Sequence, residues 1–256
     1  TMVHSEDVVV TVRWADNNNQ DGQRPEELTL RLLADKLDAG RTATLAGDSE
    51  ADTWVLRMDK VPVWSTVNTG REIDYTYLLD AASASSLEAA GYSVQYNGYE
   101  LGEGSEPGGT LLYTLDLSRD AEIADYTATV TWDDDTDRDG QRPESLTVEL
   151  YADGESTGLT AKMTGGNEAE SWNHVFEALP VHADQGNVIV YTLALVGDAP
   201  SGYTVVPDQT KPAMELKNEI SRTDVTATVT WDHESDINGL EPIDLYVELT
   251  VDGVAT

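Results

Sequence analysis

Residues 126–146 read YTATVTWDDDTDRDGQRPESL, and this stretch decides the fold because it recurs twice more along the chain. Residues 8–28 read VVVTVRWADNNNQDGQRPEEL, and residues 225–245 read VTATVTWDHESDINGLEPIDL. A tryptophan stands at the seventh position of each copy. Self-similarity of this kind is the sequence signature of repeat proteins, so the chain is interpreted as successive copies of one structural unit.

The first two copies stay in step beyond the quoted stretch. A second tryptophan follows the first by 40 residues in both (Trp14 to Trp54, and Trp132 to Trp172), and a proline follows eight residues later. Copy one is longer, chiefly within residues 80–110. The Ala-, Ser- and Leu-rich residues 81–90 in that insertion predict a helix.

The copies carry the pattern of β-strands. Apolar residues take every second position from Val8 to Trp14, from Leu28 to Leu32 and from Leu146 to Leu150. A period of two is typical of strands with one buried face. Asp153-Gly154 and Asp252-Gly253 follow such runs and predict tight hairpin turns.

Short strands with turn signals at regular spacing indicate an all-β fold with one β-sandwich per copy. We expect module 1 at residues 1–122, module 2 at residues 123–221, and the incomplete start of module 3 at residues 222–256. The links near residues 118–120 and 221–223 are short and polar. Short links limit bending between neighbours, so the modules are expected to form a rod.

Composition excludes several classes of function. The chain has 48 Asp plus Glu against 15 Lys plus Arg, a formal net charge of -33, which repels nucleic acid and anionic membranes. It has no cysteine, which excludes disulfides and thiolate metal sites. No apolar run is long enough to cross a membrane, so no insertion is expected. The four histidines (His4, His174, His182, His233) form no catalytic motif. We therefore expect no enzyme activity and no organic cofactor.

The string W-x-D-x-x-x-x-D-G-x-R-P, followed by L-T-V-x-L, resembles the collagen-adhesin B-type (Cna-B) domain. In copy two the matching residues are Trp132, Asp134, Asp139, Gly140, Arg142 and Pro143. In copy one they are Trp14, Asp16, Asp21, Gly22, Arg24 and Pro25. The resemblance implies immunoglobulin-like sandwiches of inverse topology, which form stalks and pilus shafts on Gram-positive cells.

Members of that family often carry an internal Lys–Asn isopeptide bond assisted by a buried acidic residue. The lysine position is occupied by Val12 and Val130, and the acidic position by Leu79 and Leu195. The asparagine is matched to Asn218 in copy two and to Asp116 in copy one. Because a buried Lys and Glu are costly to desolvate unless they react or pair, apolar replacements fit an ordinary core. We expect no isopeptide bond.

The loop after the first strand of copy two contains Asp135, Asp137 and Asp139, at alternate positions before a glycine. This spacing resembles the start of a calcium loop, but Leu146 stands where the bidentate glutamate would be. Asp also favours turns for backbone reasons alone. A calcium ion on these three carboxylates and a purely structural loop are both left open.

Arg24 and Arg142 recur beside these acidic loops, each followed by a proline. The favoured interpretation is a structural arginine that holds loop carboxylates through charge-assisted hydrogen bonds. The alternative is a contact with a ligand.

The leading hypothesis for function is a non-catalytic stalk of a secreted or cell-surface bacterial adhesin or pilus-like protein. A second is that module 1 itself binds a host or neighbouring-cell protein or glycan through its insertion. Trp64, Tyr96 and Tyr99 lie in segments of copy one with no evident match in copy two, and they either serve such a ligand or cover a larger core. A third is self-association into a fibre, in which another chain's strand completes the sheet of module 3.

Overall fold

The computed structural model describes residues 5–66, 70–102, 109–218, 224–232, 239 and 244–255. Its described residues include two successive β-sandwiches, here called the first and the second unit, each with a four-stranded and a three-stranded sheet. The first unit comprises β1 (Ser5–Ala15), β2 (Glu27–Ala34), β3 (Leu37–Ala46), β4 (Thr53–Pro62), β5 (Tyr75–Leu79), α1 (Ala81–Ala89), β6 (Ser93–Leu101) and β7 (Thr110–Ser118). The second comprises β8 (Ile123–Asp133), β9 (Leu146–Ala152), β10 (Glu155–Met163), β11 (Ser171–Pro180), β12 (Tyr191–Leu195), β13 (Tyr203–Pro207) and β14 (Ala213–Asn218).

Both units have the same topology. The four-stranded sheets run β4-β1-β7-β6 and β11-β8-β14-β13, and the three-stranded sheets run β3-β2-β5 and β10-β9-β12. In each unit the first strand pairs antiparallel with the fourth and parallel with the last. The predicted fold class, tandem immunoglobulin-like β-sandwiches, is confirmed.

Alternation along the first strand places its apolar side chains in the core. Val8, Val10 and Val12 are fully buried and Trp14 nearly so, while the intervening side chains point away from the core. The second unit repeats this pattern at the end of β8, up to Trp132. The buried residues form two separate clusters, one per unit. Each unit therefore has its own hydrophobic core.

Tight turns close the hairpins. Asp153 and Gly154, between β9 and β10, have φ of 49° and 85°, the left-handed conformation that an Asp-Gly hairpin turn requires. Asp252-Gly253 adopts the same conformation between two short strands, β15 (Thr250–Val251) and β16 (Val254–Ala255). Both predicted turns are confirmed. The matching turn of the first unit uses Asp35 and Lys36, also at positive φ, and sequence reasoning missed it because it contains no glycine.

Helix α1 lies in the insertion of the first unit, where the sequence predicts it. The Asp80 side chain caps it by accepting a hydrogen bond from the Ser83 amide at 2.8 Å. The Ser83 hydroxyl accepts the Thr29 amide at 2.8 Å, and Leu87 is fully buried. These contacts fasten the helix to β2.

The third copy differs from the first two within its described residues. Val229 and Trp231 are each 47% exposed, whereas their counterparts Val130 and Trp132 belong to the core of the second unit. The boundary predicted near residue 221 lies outside the described residues. The module limits therefore remain predictions.

Candidate functional site

A buried aspartate–arginine pair organises the loop after the first strand of the second unit. Arg142 donates two hydrogen bonds to Asp134, Nη2 to Oδ1 at 2.6 Å and Nε to Oδ2 at 2.9 Å. The Tyr203 hydroxyl donates a third at 2.7 Å. The guanidinium carbon lies 4.8 Å from the ring centre of Trp132, which packs edge-on against Trp172. The motif residues thus form one closed network.

Burial acts to raise the pKa of Asp134, but the hydrogen bonds from Arg142 and Tyr203 outweigh it and hold the pKa below its usual value. The first unit repeats the pair, with Arg24 Nη2 at 2.6 Å from Asp16 Oδ1 and both side chains almost wholly buried. The structural interpretation of Arg24 and Arg142 is therefore confirmed.

The loop between aspartate and arginine adopts left-handed backbone conformations. Asp135, Thr136 and Asp137 have φ of 52°, 65° and 54°. Asn and Asp tolerate this region better than other non-glycine residues, which explains Asp135 and Asp137 but not the β-branched Thr136. The Asp137 carboxylate accepts a hydrogen bond from the Arg142 amide at 2.8 Å, which closes the loop on itself.

The three candidate calcium ligands have different partners. Asp135 pairs with Arg138 on the surface at 2.9 Å, and Asp139 accepts two hydrogen bonds from Asn218 Nδ2, at 3.0 and 3.1 Å. Asp137 binds the Arg142 amide. Among the residues that the structure describes, no group of three or more His, Asp or Glu side chains is arranged to hold a metal ion. The calcium hypothesis stays a prediction.

The positions matched to the isopeptide partners lie in or against the apolar cores. Val12 and Val130 are fully buried, Leu79 is buried, and Leu195 packs against the core of the second unit. Their side chains pack as ordinary hydrophobic residues. The expectation that no isopeptide bond forms stays a prediction for a mass measurement.

The residues matched to the asparagine of that bond do not lie directly opposite Val12 and Val130, and the match stays a prediction. On the last strand, Leu115 lies opposite Val12 and Met214 lies opposite Val130. Asp116 instead forms an ion pair with Arg13 at 2.5 Å, and Asn218 binds Asp139. Alternation identifies the inward face of a strand but does not identify the neighbour across the ladder.

A polar junction joins the two units. The side chain of Asp21, only 3% exposed, forms an ion pair with Arg119 and accepts the Glu122 amide at 2.9 Å. Gln20 bridges to the second unit, where its carbonyl accepts the Gly186 amide at 2.8 Å and its Nε2 donates to the His182 carbonyl at 2.8 Å. The loop of the first unit therefore contacts both the linker and the segment after β11.

Close packing and a second buried pair complete the junction. A Cβ on Gly22 would lie 2.7 Å from the Gln185 carbonyl oxygen, so only glycine fits there. His182 Nδ1 lies 3.4 Å from Asp21 Oδ1. Sequence reasoning treated His182 only as a catalytic candidate and missed this role. The recurring Asp-Gly pair was the available signal, since Asp139-Gly140 occupies the same place in the second unit.

The aromatic residues noted in copy one are partly exposed. Tyr96 packs against Tyr77 and its hydroxyl accepts the Leu79 amide at 3.3 Å, so it helps to cover the core. The expectation that Trp64 has no counterpart was wrong. Its bridge to Glu72 matches the bridge from His182 to Val188.

Two β-sandwiches of identical topology, each closed by a Trp-Asp-Arg network, define a class: tandem immunoglobulin-like repeat modules. The chain belongs to the Cna protein B-type domain family, whose model matches residues 8–102 and 126–219. The resemblance seen in the sequence is thereby confirmed.

Known proteins agree with this assignment. The chain is 30% identical over 250 residues to a collagen adhesin of Staphylococcus aureus, covering 96% of this chain and 18% of that protein. It is similar to the crystal structure of two B repeat units of the collagen binding protein of the same organism, with 28% identity, a TM-score of 0.58, and coverage of 99% of this chain and 60% of that chain. A single B repeat unit of that protein is 26% identical, with a TM-score of 0.31 and coverage of 83% of this chain and 98% of that chain.

Proposed function

We propose that this chain is a non-catalytic spacer of a bacterial surface adhesin, which holds a binding region away from the cell. Membership of the Cna B-type family and the likeness to a collagen adhesin support this role. The chain spans less than a fifth of the length of that relative. Binding of collagen or of another host protein is therefore proposed for the whole protein and not for this chain by itself. The acidic surface disfavours nucleic acid as a partner.

The observation that carries the proposal is the junction between the units. A spacer holds a binding region at a fixed distance only if the links between its modules are not flexible. Here four residues, 119–122, separate β7 from β8, and Arg119 and Glu122 both bind the buried Asp21. The linker is thus bonded to the first unit and restricts rotation of the second.

The proposed cellular location rests on the family to which the chain belongs. We propose an extracellular position on the surface of a bacterial cell, as for adhesins of this family. Within the described residues, none of the helices has the length and apolar character to cross a membrane.

Spin labels test the rigidity of the junction. Because the chain has no cysteine, Leu37→Cys and Val175→Cys place one label on an exposed position of each unit. Pulsed electron paramagnetic resonance should give a narrow distance distribution, which broadens when Asp21→Ala removes the acceptor for Arg119 and Glu122. Asp139→Ala, the matched change in the second unit, should leave the width unchanged. A broad distribution in the otherwise unaltered chain would contradict a spacer role.

A further inference from the structure

An acidic cavity of about 300 Å³ opens in the first unit beside the start of β1. Its lining residues are Glu6, Glu72, Ile73, Asp74, Tyr75, Tyr99 and Leu111. Three carboxylates, two phenol rings and two aliphatic side chains therefore meet in one concave place. Neither the spacer role nor the junction uses any of them.

Glu6 is the unusual member of this group. It is 5% exposed, yet its carboxylate has no hydrogen-bonding or ionic partner among the residues that the structure describes. Burial, and then the negative charge of Glu72, raises the pKa of Glu6. Because an ionised carboxylate is costly to bury without a partner, we expect the charge on Glu6 to lower the stability of the free protein.

The nearby cations are engaged elsewhere. Arg71 precedes the acidic segment in sequence, but its guanidinium forms an ion pair with Asp35. Arg41 donates to the Asp59 carbonyl at 3.1 Å. Among the described residues no cation forms an ion pair with Glu6, Glu72 or Asp74, although the positive charge of Arg41 is felt at Tyr75.

The second unit shows that the fold does not require these carboxylates. Ser5 pairs with Pro62 as Ile123 pairs with Pro180, and the Trp64–Glu72 bridge matches the His182–Val188 bridge. These two registers fix the equivalent positions along both units. The counterparts of Glu6, Glu72 and Asp74 are Ala124, Val188 and Val190. All three acids of the first unit are thus replaced by apolar residues.

We propose that this cavity binds a basic side chain, a lysine or arginine, presented by a partner protein. The carboxylates supply the opposite charge, and Tyr75 and Tyr99 add aromatic rings to the lining, a residue type that attracts organic cations. The aliphatic stem of such a side chain matches Ile73 and Leu111. Within the described part of the chain the acids are not grouped as a metal site, which favours an organic cation. The site adds a binding role to the spacer and does not depend on it.

Nuclear magnetic resonance titration of the full chain with N-acetyl-lysine methylamide tests the proposal. A single side chain should bind weakly, with Kd on the order of 1 mM, and should shift the amide signals of residues 72–75 in a saturable way. N-acetyl-norleucine methylamide, which has a similar stem without the charge, should cause no such shift. A missing lysine response, or an equal norleucine response, would overturn the proposal. Calcium that reproduces the shifts and displaces the lysine probe would overturn it in favour of an ion site.

Variants locate the response. Glu6→Ala, Glu72→Val and Asp74→Val together install the residues of the second unit and should abolish the lysine shifts. A control with the same change in charge on the second unit should retain them. The control changes are Glu155→Ala, Glu168→Ala and Glu177→Ala, at exposed positions. Shifts that persist in the first variant would overturn the assignment. If that variant does not fold, Glu6→Gln replaces it.

The pH dependence of stability gives a second readout. An acid whose pKa is raised on folding favours the folded state at low pH, and this contribution is lost as the pH rises through the folded-state pKa. Glu6→Gln should therefore unfold at a higher temperature than the unaltered chain at pH 7, with the gain disappearing near pH 4. Within the described parts of the chain, the titratable and charged groups around Glu6 are Glu72, Asp74, Tyr75, Tyr99, Tyr113 and, through its effect on Tyr75, Arg41. Lower stability of Glu6→Gln at pH 7 would show that Glu6 already has a partner and would overturn the proposal.

Discussion

At the scale of single residues, the Asp134–Arg142 pair explains why copies one and two have both residue types at these positions. The guanidinium satisfies the carboxylate with two parallel hydrogen bonds, and it also donates to the Ala169 carbonyl at 2.7 Å. A lysine has neither the planar fork nor the flat face that stacks on Trp132. The pair therefore fixes the loop, the tryptophan and the chain after residue 166 together.

Arg142→Ala tests this explanation. It leaves the Asp134 carboxylate buried without its cation, so the second unit should lose about 3–5 kcal/mol of unfolding free energy. Chemical denaturation followed by tryptophan fluorescence measures the loss. The control is Arg138→Ala, since the exposed Arg138–Asp135 pair should contribute less than about 1 kcal/mol. Equal effects of the two substitutions would show that the buried pair has no special role.

At the scale of elements, the first and last strands of each unit meet through apolar side chains. Val12 faces Leu115 across the parallel ladder and Val130 faces Met214, so packed apolar pairs occupy the place between first and last strands. Apolar pairs avoid the desolvation cost of a buried lysine and acid. We therefore predict that the strands are held by ladder hydrogen bonds and packing, without a covalent bond between them.

Intact mass under denaturing conditions tests this conclusion. Formation of each Lys–Asn isopeptide bond would release one ammonia. We expect a mass equal to that calculated from the sequence, because valine occupies both lysine positions. Digestion with trypsin should return peptides without any cross-link, including those around Lys217. A mass lower by one ammonia would contradict the match of Val12 and Val130 to the lysine position. The cross-linked tryptic peptides would then show where the bond lies.

The elements also show how far sequence reasoning reaches. Helix α1 and the Asp153-Gly154 turn were predicted because composition and turn chemistry are local properties. The neighbour of Val12 on the last strand, Leu115, could not be predicted, because ladder register depends on turns and bulges far along the chain. The acidic cavity beside Glu6 was not predicted either, because its lining residues are far apart in the sequence. Glu6 and Tyr99 meet only after the sheets form.

At the scale of the whole molecule, the junction places contacts between two units that have separate cores. Stability of a repeat protein is a sum of terms within each repeat and terms between neighbours. The contacts of Asp21 with Arg119 and Glu122, and of Gln20 with Gly186, constitute the term between neighbours here. None of these contacts was evident from the sequence, because the Gln20–Gly186 pair joins residues from different copies.

A combined substitution measures that coupling. Leu150→Ala removes a fully buried side chain and should destabilise the second unit by about 2–5 kcal/mol. If the junction couples the units, amide hydrogen exchange of β1 in the first unit should also become faster. In an Asp21→Ala background the same substitution should leave β1 exchange unchanged. The contacts of Asp21 with Arg119 and Glu122 are already absent there, so unfolding of the second unit should no longer destabilise the first. Unchanged β1 exchange in the Leu150→Ala single variant would mean that the units fold independently and that the junction restricts orientation without adding stability.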